Sequence, residues 1–353
     1  MRGKLLTCVG AGAIAAGTVR AIHHLPQLES GRGDSALIAE VRHYLAGDRA
    51  LRNRLSLAVI GSGSPRQAHF GADATTEYEI GPVTTTFTGA LFAQLVNTGA
   101  VSEHTPLTRY FELDDTPAGA MTLGELATHH SGLPRQAVPQ TTFTAVKQLL
   151  STSDPARQLT VSDLVAAARR APRGGKTFAY SNLGFALLGA ALAAEYETTY
   201  PQLVQHQLAR PLQLMGTYVP TGCEDLSPAA RGYTLIGRRA RPWTCGAKAP
   251  SLAMRSTLGD MVRYLGATID GSAPGVGATR ARAAGDHATQ VGFGWMIDGP
   301  VCWHGGSTGG FSSWVGFDRE LRVGVVVLSN TASPVTKLGN ALLHAARHTA
   351  RHT

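Results

Sequence analysis

Between residues 291 and 329 the chain is a succession of short apolar runs, and the breaks between them leave few ways to fold. The runs cover residues 291–297, 301–304, 311–317 and 321–329, each bounded by Gly, Asp or Pro or by a polar turn. A parallel neighbour would need a crossover of a dozen residues or more, so connections this short make successive runs pair antiparallel. Near the other end, residues 55–60 are rich in β-forming residues, Gly61-Ser62-Gly63-Ser64-Pro65 is turn material, and 67–71 can return as a second strand. A helix is predicted before them over 35–46, with Leu37, Val41 and Leu45 at i, i+4, i+8. Another follows the last strand over 334–347, with Leu338, Leu342 and Ala345 on one side. Two strands and a helix from the start, with four strands and a helix from the end, make one antiparallel sheet covered by the terminal helices. The fold class is α+β.

The middle of the chain reads differently. Val83, Phe87, Leu91 and Leu95 form an apolar stripe at helical spacing, and residues 123–214 alternate helical stretches with Pro- and Gly-rich loops. Residues 183–192 are apolar on every side, which fits a buried helix. This divides the chain into a signal or membrane anchor with its linker (1–34) and one domain (35–353). The domain has a sheet lobe of about 35–82 and 250–353 and a mostly helical lobe of about 83–249. The first segment opens Met1-Arg2-Gly3-Lys4, runs uncharged over 5–19 and ends at Arg20. That is the layout of an export signal or a short membrane anchor, although the run is shorter than the roughly 20 residues of a comfortable span. It predicts an extracytoplasmic protein, secreted or membrane-anchored.

Hydrophobic residues make up 43% of the chain and charged residues 16%, so a sizeable core is available and disorder is excluded. The formal charge of +8 includes clusters at Arg169-Arg170-Arg173-Lys176 and Arg238-Arg239-Arg241. No nucleic-acid motif accompanies it, so the charge reads as that of a basic protein in an anionic envelope, with no nucleic-acid partner. The cysteines show no metal spacing, and neither a metal nor another cofactor is expected. Cys223 and Cys245 flank a loop that they could close in an oxidising compartment.

Several stretches, weak singly, are strong in their order: Tyr78-Glu79-Ile80-Gly81, His130-Ser131-Gly132-Leu133-Pro134, Tyr180-Ser181-Asn182-Leu183-Gly184, Ser256-Thr257-Leu258-Gly259-Asp260-Met261, Gly292-Phe293-Gly294-Trp295 and His304-Gly305-Gly306. Together they resemble the serine β-lactamase and penicillin-binding-protein superfamily, in its class C β-lactamase, esterase and D-alanyl-D-alanine carboxypeptidase branch. The resemblance runs over about 35–347. It implies a serine at a helix N-terminus that attacks a carbonyl, a lysine one turn later that relays its proton, and a tyrosine phenol that assists. By position, Tyr180 is the phenol and Asn182 the amide binder. His304, Gly305 and Gly306 form the edge-strand motif, and the N–H of Ser307 is an oxyanion donor.

The departure lies in Ile80-Gly81-Pro82-Val83-Thr84-Thr85. Pro82 stands at the serine position and Thr85 at the lysine position. Proline has no nucleophilic atom and no backbone N–H, so the other oxyanion donor goes with the nucleophile. Losing one such donor costs on the order of 10²–10³ in rate, and losing the nucleophile on the order of 10⁶. Proline nevertheless suits the first turn of a helix, and Thr85 can bond the preceding turn. Asp260 and Met261 read as helix-start and packing residues. Three readings follow: an inactive relative that binds a peptide-like or acyl ligand, a hydrolase or transacylase with Tyr180 or a threonine as nucleophile, and a structural protein with a filled cleft. Thr144-Ala145-Val146-Lys147 has the spacing of the missing motif but lies well after its position.

Overall fold

The computed structural model describes residues 27–137, 154–171, 175–227 and 231–352. The 5–19 run, Arg173 and Thr144-Ala145-Val146-Lys147 lie outside them. The strands are β1 (Gly31–Gly33), β2 (Leu55–Ile60), β3 (Arg66–Phe70), β4 (Glu77–Glu79), β5 (Gly232–Tyr233), β6 (Arg239–Ala240), β7 (Arg255–Thr257), β8 (Ala283–Ala284), β9 (Gln290–Val291), β10 (Met296–Asp298), β11 (Val301–Ser307), β12 (Ser312–Asp318) and β13 (Val323–Ser329). Nine of them form one sheet in the order β1-β3-β2-β13-β12-β11-β10-β9-β8, and every neighbouring pair is antiparallel.

Side chains alternate across a strand with period two, which gives this sheet two different faces. Leu55, Leu57, Val59, Val323, Val325 and Val327 pack against the terminal helices α1 (Ser35–Leu45) and α5 (Thr336–His352). Ala58, Ile60, Val326 and Leu328 face the larger core, shared with α2 (Thr84–Asn97), α3 (Asn182–Glu195) and α4 (Leu258–Asp270). Asp34 caps α1 by accepting the Leu37 N–H at 2.7 Å, a bond of the kind whose loss costs about 1 kcal/mol. On α5 Leu338, Leu342 and Ala346 are buried, while Ala345 is only partly covered.

The expected strand over 291–297 is two short strands. Gly294 takes a left-handed φ of +71°, and a Cβ there would lie 2.2 Å from the Thr85 carbonyl oxygen. The break thus lets this backbone press against the first turn of α2. The strand pairs β4–β7 and β5–β6 are too short to show a period in the sequence.

Candidate active site

A buried ion-pair cluster sets the backbone that leads into Pro82. Arg255 on β7 is fully buried and reaches Glu77 at 2.5 Å and Glu79 at 2.8 Å on the paired strand β4. The Ile80 N–H donates to the Met254 carbonyl at 3.0 Å, and the Ile80 carbonyl accepts the Ser313 hydroxyl at 2.7 Å. Gly81–Val83 then makes a single 3₁₀ turn, with Pro82 at its start, that runs into α2. Proline fits here because its missing N–H is one that the first turn leaves unpaired anyway.

The threonines that follow are tied to backbone. Thr85 Oγ1 donates to the Pro82 carbonyl at 2.8 Å, and Thr86 Oγ1 to the Val83 carbonyl at 2.8 Å. Thr84 Oγ1 accepts the Met254 N–H at 3.2 Å. Thr85 is fully buried and also lies 3.3 Å from His304 Nε2. A hydroxyl has one proton, and a carbonyl can only accept. With that proton on the Pro82 carbonyl, the second contact requires His304 Nε2–H to donate to Thr85. His304 therefore does not serve as a base for Thr85 in this arrangement.

β11 brings the other half of the site. It pairs with β10 only over Val301–Trp303, so the edge from His304 to Ser307 extends beyond its outer neighbour. Gly306 lies against the Pro82 turn: a Cβ there would meet the Ile80 carbonyl oxygen at 2.6 Å and Pro82 Cδ at 3.1 Å. Gly81, at φ +50°, has its Cβ position 3.2 Å from the Ser307 nitrogen. Pro82, Gly305 and Gly306 are partly exposed and Ser307 is exposed, so these residues form the open rim.

Tyr180 enters just ahead of α3. Its neighbour Ser181 caps that helix by accepting the Gly184 N–H at 2.9 Å and donates to the Pro134 carbonyl at 2.8 Å. The Asn182 N–H donates to the Arg135 carbonyl at 3.0 Å. The Tyr180 ring lies 6.0 Å from that of His304 and 4.2 Å from that of His129, centroid to centroid. Pro82, Thr85, Tyr180, Asn182 and His304 thus lie on a connected set of contacts around Pro82, the edge of β11 and the start of α3.

Two participants were missed from the sequence. His129 follows a short capped helix and holds a left-handed φ of +61°. Its Nδ1 accepts the Ser181 N–H at 3.1 Å, which leaves the proton on Nε2. It stands immediately before the His130-Ser131-Gly132-Leu133-Pro134 stretch, and nothing in its spacing marked it. The second is Arg135, whose guanidinium carbon lies 5.1 Å above the Tyr180 ring. Tyr180 therefore has a cationic neighbour, an arginine at the exposed rim.

Burial dominates the electrostatics. It pushes the Tyr180 phenol well above its ordinary value, against a smaller opposing pull from Arg135. It also pushes His304 down to about 4 and His129 well below its ordinary value. At neutral pH all three are uncharged. Tyr180 Oη, Asn182 Oδ1, His129 Nε2 and His304 Nδ1 are buried and find no hydrogen-bond partner among the described residues. Leaving such a group unpaired costs about 1–3 kcal/mol, so these four atoms make the site costly to the fold.

An open cavity of about 580 Å³ lies elsewhere, lined by residues such as Glu29, Arg32, Arg54, Asp73 and Glu77. It includes none of the residues around Pro82. Among the described residues no His, Cys, Asp and Glu cluster could hold a metal. Cys245 is a buried free thiol, so the Cys223–Cys245 closure is not formed.

The comparisons with known proteins bear on this geometry. The family described as "Beta-lactamase" matches residues 41–348. The chain is 31% identical over 198 residues to the D-alanyl-D-alanine-carboxypeptidase/endopeptidase AmpH of Escherichia coli K12, covering 53% of this chain and 47% of that one. It thus spans about half the length of that relative. It is 26% identical over 333 residues to a β-lactamase of the same organism, covering 79% of this chain and 84% of the relative. Among solved structures, the octameric penicillin-binding protein homologue from Pyrococcus abyssi superposes with a TM-score of 0.68 at 22% identity, over 84% of this chain and 72% of the other.

Proposed function

Because the chain belongs to the β-lactamase family of serine hydrolases, we propose that it is a member that binds a peptide-like or acyl ligand without forming an acyl-enzyme. The observation that carries this reading is Pro82 itself. It occupies the start of α2 against the Gly306 edge, and its carbonyl takes the Thr85 proton. The reaction needs a hydroxyl and a base at those two positions, and neither is there. The open rim of Pro82, Gly305, Gly306 and Ser307, with Arg135 above Tyr180, supports retained binding. Similarity to a carboxypeptidase/endopeptidase supports a peptide-like ligand.

The reading with Thr85 as nucleophile has one observation in its favour, the contact to His304. The direction of that hydrogen bond and the complete burial of Thr85 count against it. Tyr180 is no better placed, because burial disfavours its phenolate. The envelope location belongs to the same proposal and rests on the basic start and the 5–19 run. Among the described residues no helix is long and apolar enough to cross a membrane.

Mass spectrometry of the purified protein after exposure to a fluorophosphonate and to a penicillin tests the chemistry. The expected spectrum shows unmodified protein, and a stoichiometric adduct mapping to the cleft would overturn the inactive reading. A rise in melting temperature with an acyl-D-alanyl-D-alanine peptide is the expected sign of binding. No rise with this peptide or with other acyl ligands would favour a purely structural role.

A further inference from the structure

Among the described residues, Leu235 and Ile236 are the one place where two large apolar side chains adjacent in sequence both face solvent, 38% and 48% exposed. They stand at the tip of the β5–β6 hairpin, whose register pairs Gly232 with Ala240 and Tyr233 with Arg239. The Gly237 N–H donates to the Thr234 carbonyl at 2.9 Å, and the Thr234 N–H to the Arg238 carbonyl at 2.8 Å. Leu235 and Ile236 are therefore the two corners of a β-turn, closed by Gly237 at φ +78°. Corners of this kind ordinarily carry Pro, Asn, Asp, Ser or Gly. Two aliphatic side chains there gain nothing from the turn and are left in water.

The hairpin's own stretch of sequence carries charge of one sign. The stretch 226–259 contains no Asp or Glu, and Arg231, Arg238, Arg239 and Arg241 are all exposed around the hairpin. The base of the hairpin is held firmly. The Tyr233 N–H donates to the carbonyls of Gly310 and Asn330 at 3.0 and 2.9 Å, and the Ala332 N–H to that of Tyr233 at 2.8 Å. Ser307 Oγ in turn donates to the Ala332 carbonyl at 3.3 Å. The hairpin therefore projects from the Ser307 end of β11, beside the open rim of the candidate site.

We propose that this hairpin is a lipid-contacting finger that seats the protein on an anionic bilayer, with the Ser307 end of the cleft turned towards the surface. An apolar tip with a cationic collar matches the layering of such a surface, where acyl chains lie beneath anionic headgroups. A protein partner fits less well, since a stable interface covers roughly 800 Å² on each side and two aliphatic side chains make a small apolar centre. The contact is independent of the 5–19 run and of whether the cleft is catalytic.

The test uses the full chain with an environment-sensitive dye on Ile236→Cys, against the same dye on Tyr196→Cys as an exposed control, with the unsubstituted protein labelled in parallel. Vesicles of phosphatidylcholine alone and with phosphatidylglycerol are the probes. The expected result is a blue shift at position 236, none at 196, and only with phosphatidylglycerol. Arg239→Ala/Arg241→Ala should weaken vesicle binding roughly 30-fold, and Leu235→Ser/Ile236→Ser should remove the component that survives high salt. Unchanged emission at 236 while the protein sediments with vesicles would overturn the proposal. So would self-association without lipid that Leu235→Ser/Ile236→Ser abolishes, which would assign the tip to a second copy of the chain.

Discussion

His304→Gln should flatten the acid side of the stability profile, and the size of the effect follows from burial. In the unfolded chain a histidine titrates near 6.5, whereas in the fold burial holds His304 at about 4. Between those values the unfolded state binds the extra proton, so stability falls as pH falls through the window, and the loss is complete below the folded value. At 1.36 kcal/mol per pKa unit, the whole window is worth about 3 kcal/mol, and the part between pH 7 and 5 about 2 kcal/mol. That is a large share of the 5–15 kcal/mol typical of a folded domain. His129 shifts the same way and adds to the slope. Gln keeps an N–H for Thr85 but has no proton to gain. Urea denaturation at pH 7, 6, 5 and 4.5 for the parent and for His304→Gln measures the difference, and carboxylates common to both cancel. The parent should lose about 2 kcal/mol more than the variant between pH 7 and 5. Equal slopes, or an imidazole that titrates near 6.5 by NMR, would show that water surrounds His304 and that the site is an open, wet groove.

Pro82→Ser with Thr85→Lys should form a covalent adduct with a β-lactam, detectable by mass spectrometry, and neither single variant should. An adduct with Pro82→Ser alone would mean that another group supplies the base. Tyr180→Phe removes a buried hydroxyl without a partner, so stability should hold or rise by up to about 1 kcal/mol; a clear fall in the urea midpoint would reveal a hydrogen bond to that oxygen. Gly306→Ala puts a Cβ 2.6 Å from the Ile80 carbonyl oxygen and should cost about 1–3 kcal/mol, again read from the urea midpoint.

The elements legible in the sequence were those long enough to show a period. Leu37 and Val41 on α1, the apolar β-forming runs of β2 and β13, and the all-round apolar α3 gave the sheet and its covering helices. The 291–297 run reads as one strand in the sequence; a left-handed Gly294, pressed against α2, breaks it. The Pro82–Thr85 gap was legible because it replaces one chemistry with none at two positions. His129 and Arg135 were not, since their roles depend on where the loop before Tyr180 returns, and a single histidine or arginine carries no spacing. Leu235 and Ile236 could have been noticed beside Gly237 as a turn with unsuitable corners, yet their exposure is a fact of the fold.

The same burial sets what a lysine at position 85 would cost. A lysine at position 85 would put an ammonium where Thr85 is fully buried, beside an uncharged His304 and a phenol held in its neutral form. The influences that set His304 are burial and the Gly305 backbone, so among the described residues none of them offers the lysine a counter-charge. Desolvation lowers the pKa of a buried lysine by up to several units, and the folded state loses stability accordingly. Thr85, bonded to the turn before it, avoids that cost. Threonine at position 85 thus favours stability over a buried base, as expected where activity and stability compete at one place. Thr85→Lys alone should therefore lower the urea midpoint at pH 7, and less so at pH 9, where the amine is more easily neutral. A midpoint equal to the parent's at both values would mean that the ammonium reaches water, and that the cleft is deeper and wetter than the burial of Thr85 implies.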